Sequence, residues 1–183
     1  MLPTSAKPQM NDSLLIRREA PSDIAGIRQV NLLAFEGALE ADVIDRLRDS
    51  CPDFLSSVAV LAGEIVGHIL FTPASLECPA TTVQGMGLAP LSVHPEYQRQ
   101  GIGSSLVRAG LAELQTAACP FVIVLGHPQY YPRFGFEIAS RYNIRCEFPD
   151  VPDEAFMIRF LAAVPLPGGE ILARYRPEWT VTG

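Results

Sequence analysis

The chain has no lysine- or arginine-rich run, no Cys-x-x-Cys pair and no apolar stretch long enough to cross a bilayer. The first absence bears on partners. Lys and Arg number 14 against 20 Asp and Glu, a formal net charge of -6, and phosphate neutralisation along a nucleic acid needs a basic face, so no nucleic-acid partner is expected. Cys51, Cys78, Cys119 and Cys146 are isolated, as are His68, His94 and His127. Metal sites need converging ligands at recognisable spacing, so no metal is expected and the thiols read as reduced. Met1 to Asp12 lack the apolar core of a signal peptide, and a spanning helix would need ~18 or more apolar residues. The expectation is therefore a soluble cytoplasmic protein with no membrane partner.

What is present points to one folded unit. Hydrophobic residues make up 48% and charged residues 19% of 183, too apolar for disorder and long enough for one core. Residues 1–12 read as a frayed leader and 13–183 as a single domain. Leu14 to Arg17 is a strand candidate. Ser22 or Asp23 then caps a helix reaching Phe35, with Ile24, Ile27, Val30 and Leu33 or Ala34 on one stripe. A second helix runs from Leu39 to Arg48, with Leu39, Val43 and Leu47 aligned, and the two form a hairpin. Ser56 to Leu61, the turn Ala62-Gly63 and Glu64 to Phe71 read as an antiparallel hairpin. Pro73 to Thr82 reads as loop or irregular strand. Val83 to Val93 is another strand, and Pro90 inside it cannot donate to a ladder, so a bulge or an edge is expected there. Ile102 to Ala117 is a helix, Phe121 to Leu125 a strand buried on both faces, and Pro128 to Phe134 a short helix or turn. Asn143 to Cys146 and Ala155 to Phe160 are the last strand candidates. The order gives one α+β domain with a mixed sheet.

The chemistry concentrates between Leu91 and Leu106, where a strand ends at His94-Pro95, a polar loop follows, and Gly101-Ile102-Gly103 leads into a helix. Glycines let backbone amides turn outward, and a helix start adds unpaired N–H donors and partial positive charge, so the segment is a candidate diphosphate cradle. A Walker loop would need Gly-Lys-Ser/Thr, which is absent. A dinucleotide fingerprint would need a small residue at Leu106 and a turn directly off the strand. A helix that merely begins with glycines remains the alternative on spacing alone.

Gln98-x-x-Gly101-x-Gly103 resembles the Q/R-x-x-G-x-G/A motif of the GCN5-related N-acetyltransferase (GNAT) family. Tyr131-Pro132-Arg133-Phe134-Gly135-Phe136 resembles the same family's Tyr-x-x-x-Gly-Phe signature, and the likeness runs from Leu14 to Phe136. The strand ending in Gly-Leu-x-Pro-Leu and the Pro-x-Tyr-Tyr-x-Arg-Phe-Gly-Phe run are similar to the YhbS-like branch. The resemblance implies a mixed, mostly antiparallel sheet flanked by helices, with a splayed central strand pair. It implies acetyl-CoA as co-substrate and transfer of its acetyl group to an amine in a ternary complex. Leu91, Ser92 and Val93 would pair with the pantetheine arm, a backbone N–H of Leu91 or Ser92 would face the acetyl carbonyl, and Gln98, Arg99, Gln100, Gly101, Ile102, Gly103 and Ser104 would hold the pyrophosphate.

Tyr131 occupies the position of the family's general acid, with Tyr130 the alternative by a frame of one. The strand carboxylate that serves many members as base is absent, since Ala89 and Pro90 fill that region, and Glu36 or Glu40 near the helix hairpin are the candidate bases. That absence also keeps open a non-catalytic acyl-CoA-binding regulator. The acceptor would be a small-molecule or peptide amine, and the acidic balance favours a cationic one. A homodimer is compatible with the resemblance.

Overall fold

The structure is a computed structural model, and it describes residues 13–35, 37–79, 81–166 and 169–180. Four strands, β1 (Leu15–Arg18), β2 (Leu55–Leu61), β3 (Glu64–Cys78) and β4 (Thr81–Val93), follow one another antiparallel. Beyond them lie β5 (Phe121–Leu125), β6 (Glu137–Ile138), β7 (Ile144–Cys146), β8 (Phe156–Phe160) and β9 (Ile171–Arg174). β5 joins β4 in parallel, β8 and β6 extend that side, and β9 returns to the other end of β3 with β7 beside it. The sheet is mixed and mostly antiparallel, as an α+β fold requires.

Helices α1 (Ile24–Ala34) and α2 (Leu39–Ser50) cover one face and α3 (Ile102–Thr116) the other. The alternation along β3 assigns the faces. Leu70 packs with Ile27, Val43, Ile44 and Leu47, while its neighbours Ile69 and Phe71 pack with Leu106, Val107 and Leu111. On α1 the buried stripe is Ile27, Val30 and Asn31, and on α2 it is Ala41, Val43, Ile44 and Leu47. Ile24 and Leu39, expected on the inward stripes, are exposed, and of the alternatives Leu33 and Ala34 the first is exposed and the second half-buried. Asn31 takes the inward place because a polar partner waits beneath it.

Pro73 to Thr82 is regular strand rather than loop. β3 runs through Pro73 to Cys78 and turns directly into β4, with Cys78 opposite Thr81. The first residue of β2, Leu55, lies opposite Phe71, so β2 does not reach as far as Pro73, which has one side with no ladder to interrupt. The irregularity expected at Pro90 is present. Ile69 pairs with Leu91 and Phe71 with Leu88, so Ala89 and Pro90 together oppose Leu70, which is a bulge.

Next to that bulge the sheet divides. β4 pairs with β5 only over Met86–Leu88, against Val122–Val124, and then continues alone on that side to Val93. The splayed pair expected from the resemblance is therefore β4 and β5. No described helix is long and apolar enough to cross a membrane, and residues 1–12 lie outside the described part of the chain.

Candidate active site

A cleft of about 670 Å³ opens where β4 and β5 part. One wall is Leu91 and Val93 of β4, the loop after it, and the first turn of α3, and the other is the turn that follows β5. The loop is braced from within. His94 Nδ1 accepts from the Glu96 amide at 3.2 Å, Gln98 Nε2 donates to the Val93 carbonyl at 3.1 Å, and Gln100 Nε2 donates to the Glu96 carbonyl at 3.1 Å. Arg99 and Gly101 adopt φ of +60° and +88°, which bends the chain so that α3 begins at the cleft.

That helix start carries no side-chain cap. Ser105 N–H is the first to find a helical partner, the Gly101 carbonyl at 3.0 Å, so helix geometry leaves the amides of Ile102, Gly103 and Ser104 without intrahelical acceptors. Nothing lies within 4 Å of a Cβ placed on Gly101. Three free amides, the positive end of a helix dipole and open space in front suit an anion. Arg99 and Arg133 add cations to the lining. A diphosphate fits this donor set.

The sequence-predicted residues divide by what they can touch. Leu91, Val93, Gln98, Arg99, Gly101, Ile102, Gly103 and Ser104 line the cleft. Gln100 and Ser92 do not. The Gln100 amide is spent on the loop, and Ser92 points to the opposite face of the strand, where its hydroxyl is buried without a partner. Only the backbone of Ser92 remains available to a ligand. Tyr97 and His127 also line the cleft. Tyr97 was legible only as part of the His-Pro-Glu-Tyr loop, and His127 carried no signal.

Both tyrosines reach the cleft, in different ways. Tyr131 belongs to the core, 7% exposed, with its ring against Gly126 so closely that a Cβ there would collide with it. Burial, and then the neighbouring Tyr130, push its phenol above the ordinary tyrosine range, which keeps it protonated. Tyr130 is half-buried, stands edge-on to Tyr131 at 5.1 Å between ring centroids, and carries the Arg133 guanidinium 4.1 Å above its ring. A Cβ on Gly103 would lie 2.9 Å from the Tyr130 hydroxyl.

No carboxylate among the described residues lines the cleft. Glu40 sits in the first turn of α2, away from this lining, and Glu36 lies outside the described residues. No group of three or more His, Cys, Asp or Glu among the described residues is arranged to hold a metal.

Beneath the β4 wall runs a buried polar chain that the sequence did not announce. Asn31 Nδ2 donates to the Ile27 carbonyl at 2.8 Å and approaches His68 Nδ1 at 3.2 Å, and His68 Nε2 lies 3.0 Å from Ser56 Oγ, which donates to Glu19. Because Asn31 donates, Nδ1 accepts and Nε2 carries the proton. Burial, reinforced by the nearby Arg48, lowers the imidazole to about 3, so it is neutral. His68 pairs across the ladder with Ser92, and so this chain ties α1 and β2 to the part of β4 that forms the cleft. Tyr175 was also missed. Its ring lies 2.6 Å from a Cβ placed on Gly87, and the signal was Gly85-x-Gly87, two glycines on one face of a strand, which mark close approach.

A sheet split beside an uncapped helix start, with a buried phenol at the fork, defines the class of N-acyltransferases that use a nucleotide-borne thioester. Residues 16–139 match the acetyltransferase (GNAT) domain, and the chain belongs to the GNAT family. It is 40% identical over 151 residues to the N-acetyltransferase YjhQ of Escherichia coli K12, covering 79% of this chain and 83% of that one. The structure of the GNAT-family N-acetyltransferase YhbS of E. coli in complex with CoA superposes with a TM-score of 0.84 at 33% identity, over 98% of each chain. A GNAT-family acetyltransferase of Brucella melitensis in complex with acetyl-CoA gives 0.73 at 31% identity, over 92% of this chain and 99% of that one.

Proposed function

We propose that this chain, acting as one domain over residues 13–183, moves the acetyl group of acetyl-CoA to a primary amine by direct attack in a ternary complex. The observation that carries the reading is the fork between β4 and β5. It gives one continuous cleft from the free amides of α3 to Tyr131, about as a diphosphate, an extended arm and a thioester succeed one another in CoA. Gly101, Ile102, Gly103 and Ser104 hold the diphosphate through their amides. The unpaired edge of β4 at Leu91 to Val93 receives the arm as a further strand would be received. A β4 amide polarises the acetyl carbonyl, an interaction that in other enzymes is worth ~10²–10³ in rate. Tyr131 delivers a proton to the departing thiolate. With no carboxylate at the described cleft, the amine loses its proton through water. The acceptor class is a small-molecule or peptide amine. Free Cys51, Cys78, Cys119 and Cys146 support placing the protein in the cytoplasm.

The lack of a carboxylate in the cleft among the described residues favours a second reading, a regulator that binds acyl-CoA without turnover. Release of CoA thiol, with mass-spectrometric detection of acetylated product across a panel of amines, separates the two. Acetyl transfer to any amine supports the enzyme. Tight acetyl-CoA binding with no product across the panel supports the regulator, and no binding removes both.

A further inference from the structure

We propose that Tyr130 and Arg133 form a second diphosphate-recognising wall, in which the Tyr130 hydroxyl donates to the diphosphate from the side opposite the α3 amides and the Arg133 guanidinium supplies its charge. The proposal rests on acetyl-CoA being the acyl donor. It assigns to Tyr130 a task separate from that of Tyr131.

Three observations carry it. The Tyr130 ring crosses from the turn after β5 to the first turn of α3, where its hydroxyl stands over Gly103 within 2.9 Å of the position a Cβ would take. It is therefore beside the free amides, at the cradle end of the cleft. The Tyr131 ring is turned 82° from it and packs against Gly126 and in the core with Phe136. Adjacent residues on one turn thus serve two ends of one ligand, an anion and a leaving thiolate.

Charge is the third observation. The Arg133 guanidinium lies 4.1 Å from the Tyr130 ring centroid and also lines the cleft. Among the described residues neither Arg133 nor Arg99 has a carboxylate partner, whereas arginines such as Arg17, Arg28, Arg48, Arg174 and Arg176 are all paired. A stacked guanidinium keeps its N–H edge free for an anion while its face holds the ring. Phosphate oxygens prefer such charge-assisted donors to neutral ones. With amides on one wall and a phenol backed by a cation on the other, the diphosphate is gripped from both sides, and Gly103 is small because the second wall closes onto it.

Tyr130→Phe removes only the hydroxyl and Arg133→Gln only the charge. CoA affinity is read by isothermal titration, and acetyl-CoA is compared as donor with acetyl-pantetheine, which has the thioester arm and no phosphate. Each substitution should weaken CoA about tenfold, as expected for one hydrogen bond to a charged group. The preference for acetyl-CoA over acetyl-pantetheine, as a ratio of kcat/KM, should fall by the same factor. The proposal is overturned if both donors lose equally, which would place Tyr130 at the thioester, or if CoA affinity is unchanged. Should Tyr130→Phe lower the melting temperature of the free protein, Arg133→Gln alone decides, since its guanidinium is outside the core. Failure of the unaltered protein to bind CoA would instead reject the acetyl-CoA reading itself.

Discussion

Tyr131 has the environment of an acid that never runs out of its proton. Burial and the adjacent Tyr130 raise it above the usual tyrosine value, and an acid with a raised pKa stays protonated to higher pH. Activity should therefore climb through neutrality as the acceptor amine deprotonates, with any fall lying above the ordinary tyrosine range of ~10. In Tyr131→Phe, kcat should drop on the order of 10²-fold while the ascending limb stays in place. An unchanged kcat, or a descending limb that persists at reduced height, would reassign Tyr131 to packing. The two cradle glycines should separate just as cleanly. Gly101 has φ +88° with open space before it, and Gly103 faces the Tyr130 hydroxyl. Gly101→Val should lower CoA affinity and also strain the backbone, whereas Gly103→Ala should lower affinity with little change in the melting temperature of the free protein. Equal losses in both quantities for Gly103→Ala would show that the glycine serves only the fold. At this scale the sequence was informative where one short segment shapes a wall of the cleft, as from Gln98 to Ser104. It was silent where the partner comes from far along the chain, as Tyr175 does to Gly87 or Tyr130 to Gly103.

Strand β4 is where local sequence and distant packing meet. Its end, its bulge and the following helix were legible because proline and glycine leave local signatures. What pairs with the far half of β3 was not, since β9 and the hairpin through Pro73 owe their regularity to pairing with β3 rather than to their own composition. The polar chain behind β4 shows the same limit: Asn31 on a helix stripe reads as a break in the apolar face until His68 is placed beneath it. That chain makes a prediction for the element. His68 is neutral in the fold, with its value near 3, while an exposed histidine titrates at ~6.5. Below ~6.5 the unfolded chain therefore binds the extra proton, and stability falls as pH drops. Between pH 7 and 5.5 the loss from this one group is about 1 kcal/mol. Urea midpoints measured across that range should move down accordingly, and in His68→Gln the slope should flatten even though the variant is less stable at pH 7. A slope that His68→Gln leaves unaltered would mean that the imidazole is hydrated in solution.

For the molecule as a whole, ligand and acid act on different parts. A donor that binds only the native state at about 100 times its Kd adds about 2.7 kcal/mol, which for a chain of this size raises Tm by roughly 5 to 10 °C. A thermal scan with and without acetyl-CoA reads this directly, and an unmoved Tm at millimolar concentration would remove the cofactor reading. At the acid end, Glu178 is held down to about 2, first by its hydrogen bond from Arg176 and also by the one from Ser50. Being depressed, it stabilises above the ordinary carboxylate range and that contribution is lost as pH falls toward 2. This window opens below the start of the His68 window and overlaps its lower part, so in an acid titration the loss of stability should steepen once pH falls into the carboxylate range.

The residues proposed to grip the donor all lie before residue 140, as does the segment that matches the family domain. Yet among the described residues the ladder between β4 and β5 holds only three residue pairs, and a second stitch is made by β9, which carries the late part of the chain back across to Ser75, Leu76 and Glu77 of β3. Tyr175, one residue past that strand, presses on Gly87 within the first stitch. The tail is thus the keystone of an arch whose opening it never enters. A chain cut after Leu166 would keep every atom proposed to meet CoA and should still lose most of its grip, because the span between the abutments would no longer be fixed. Supplying residues 169–180 as a separate peptide should restore binding in proportion to the peptide taken up.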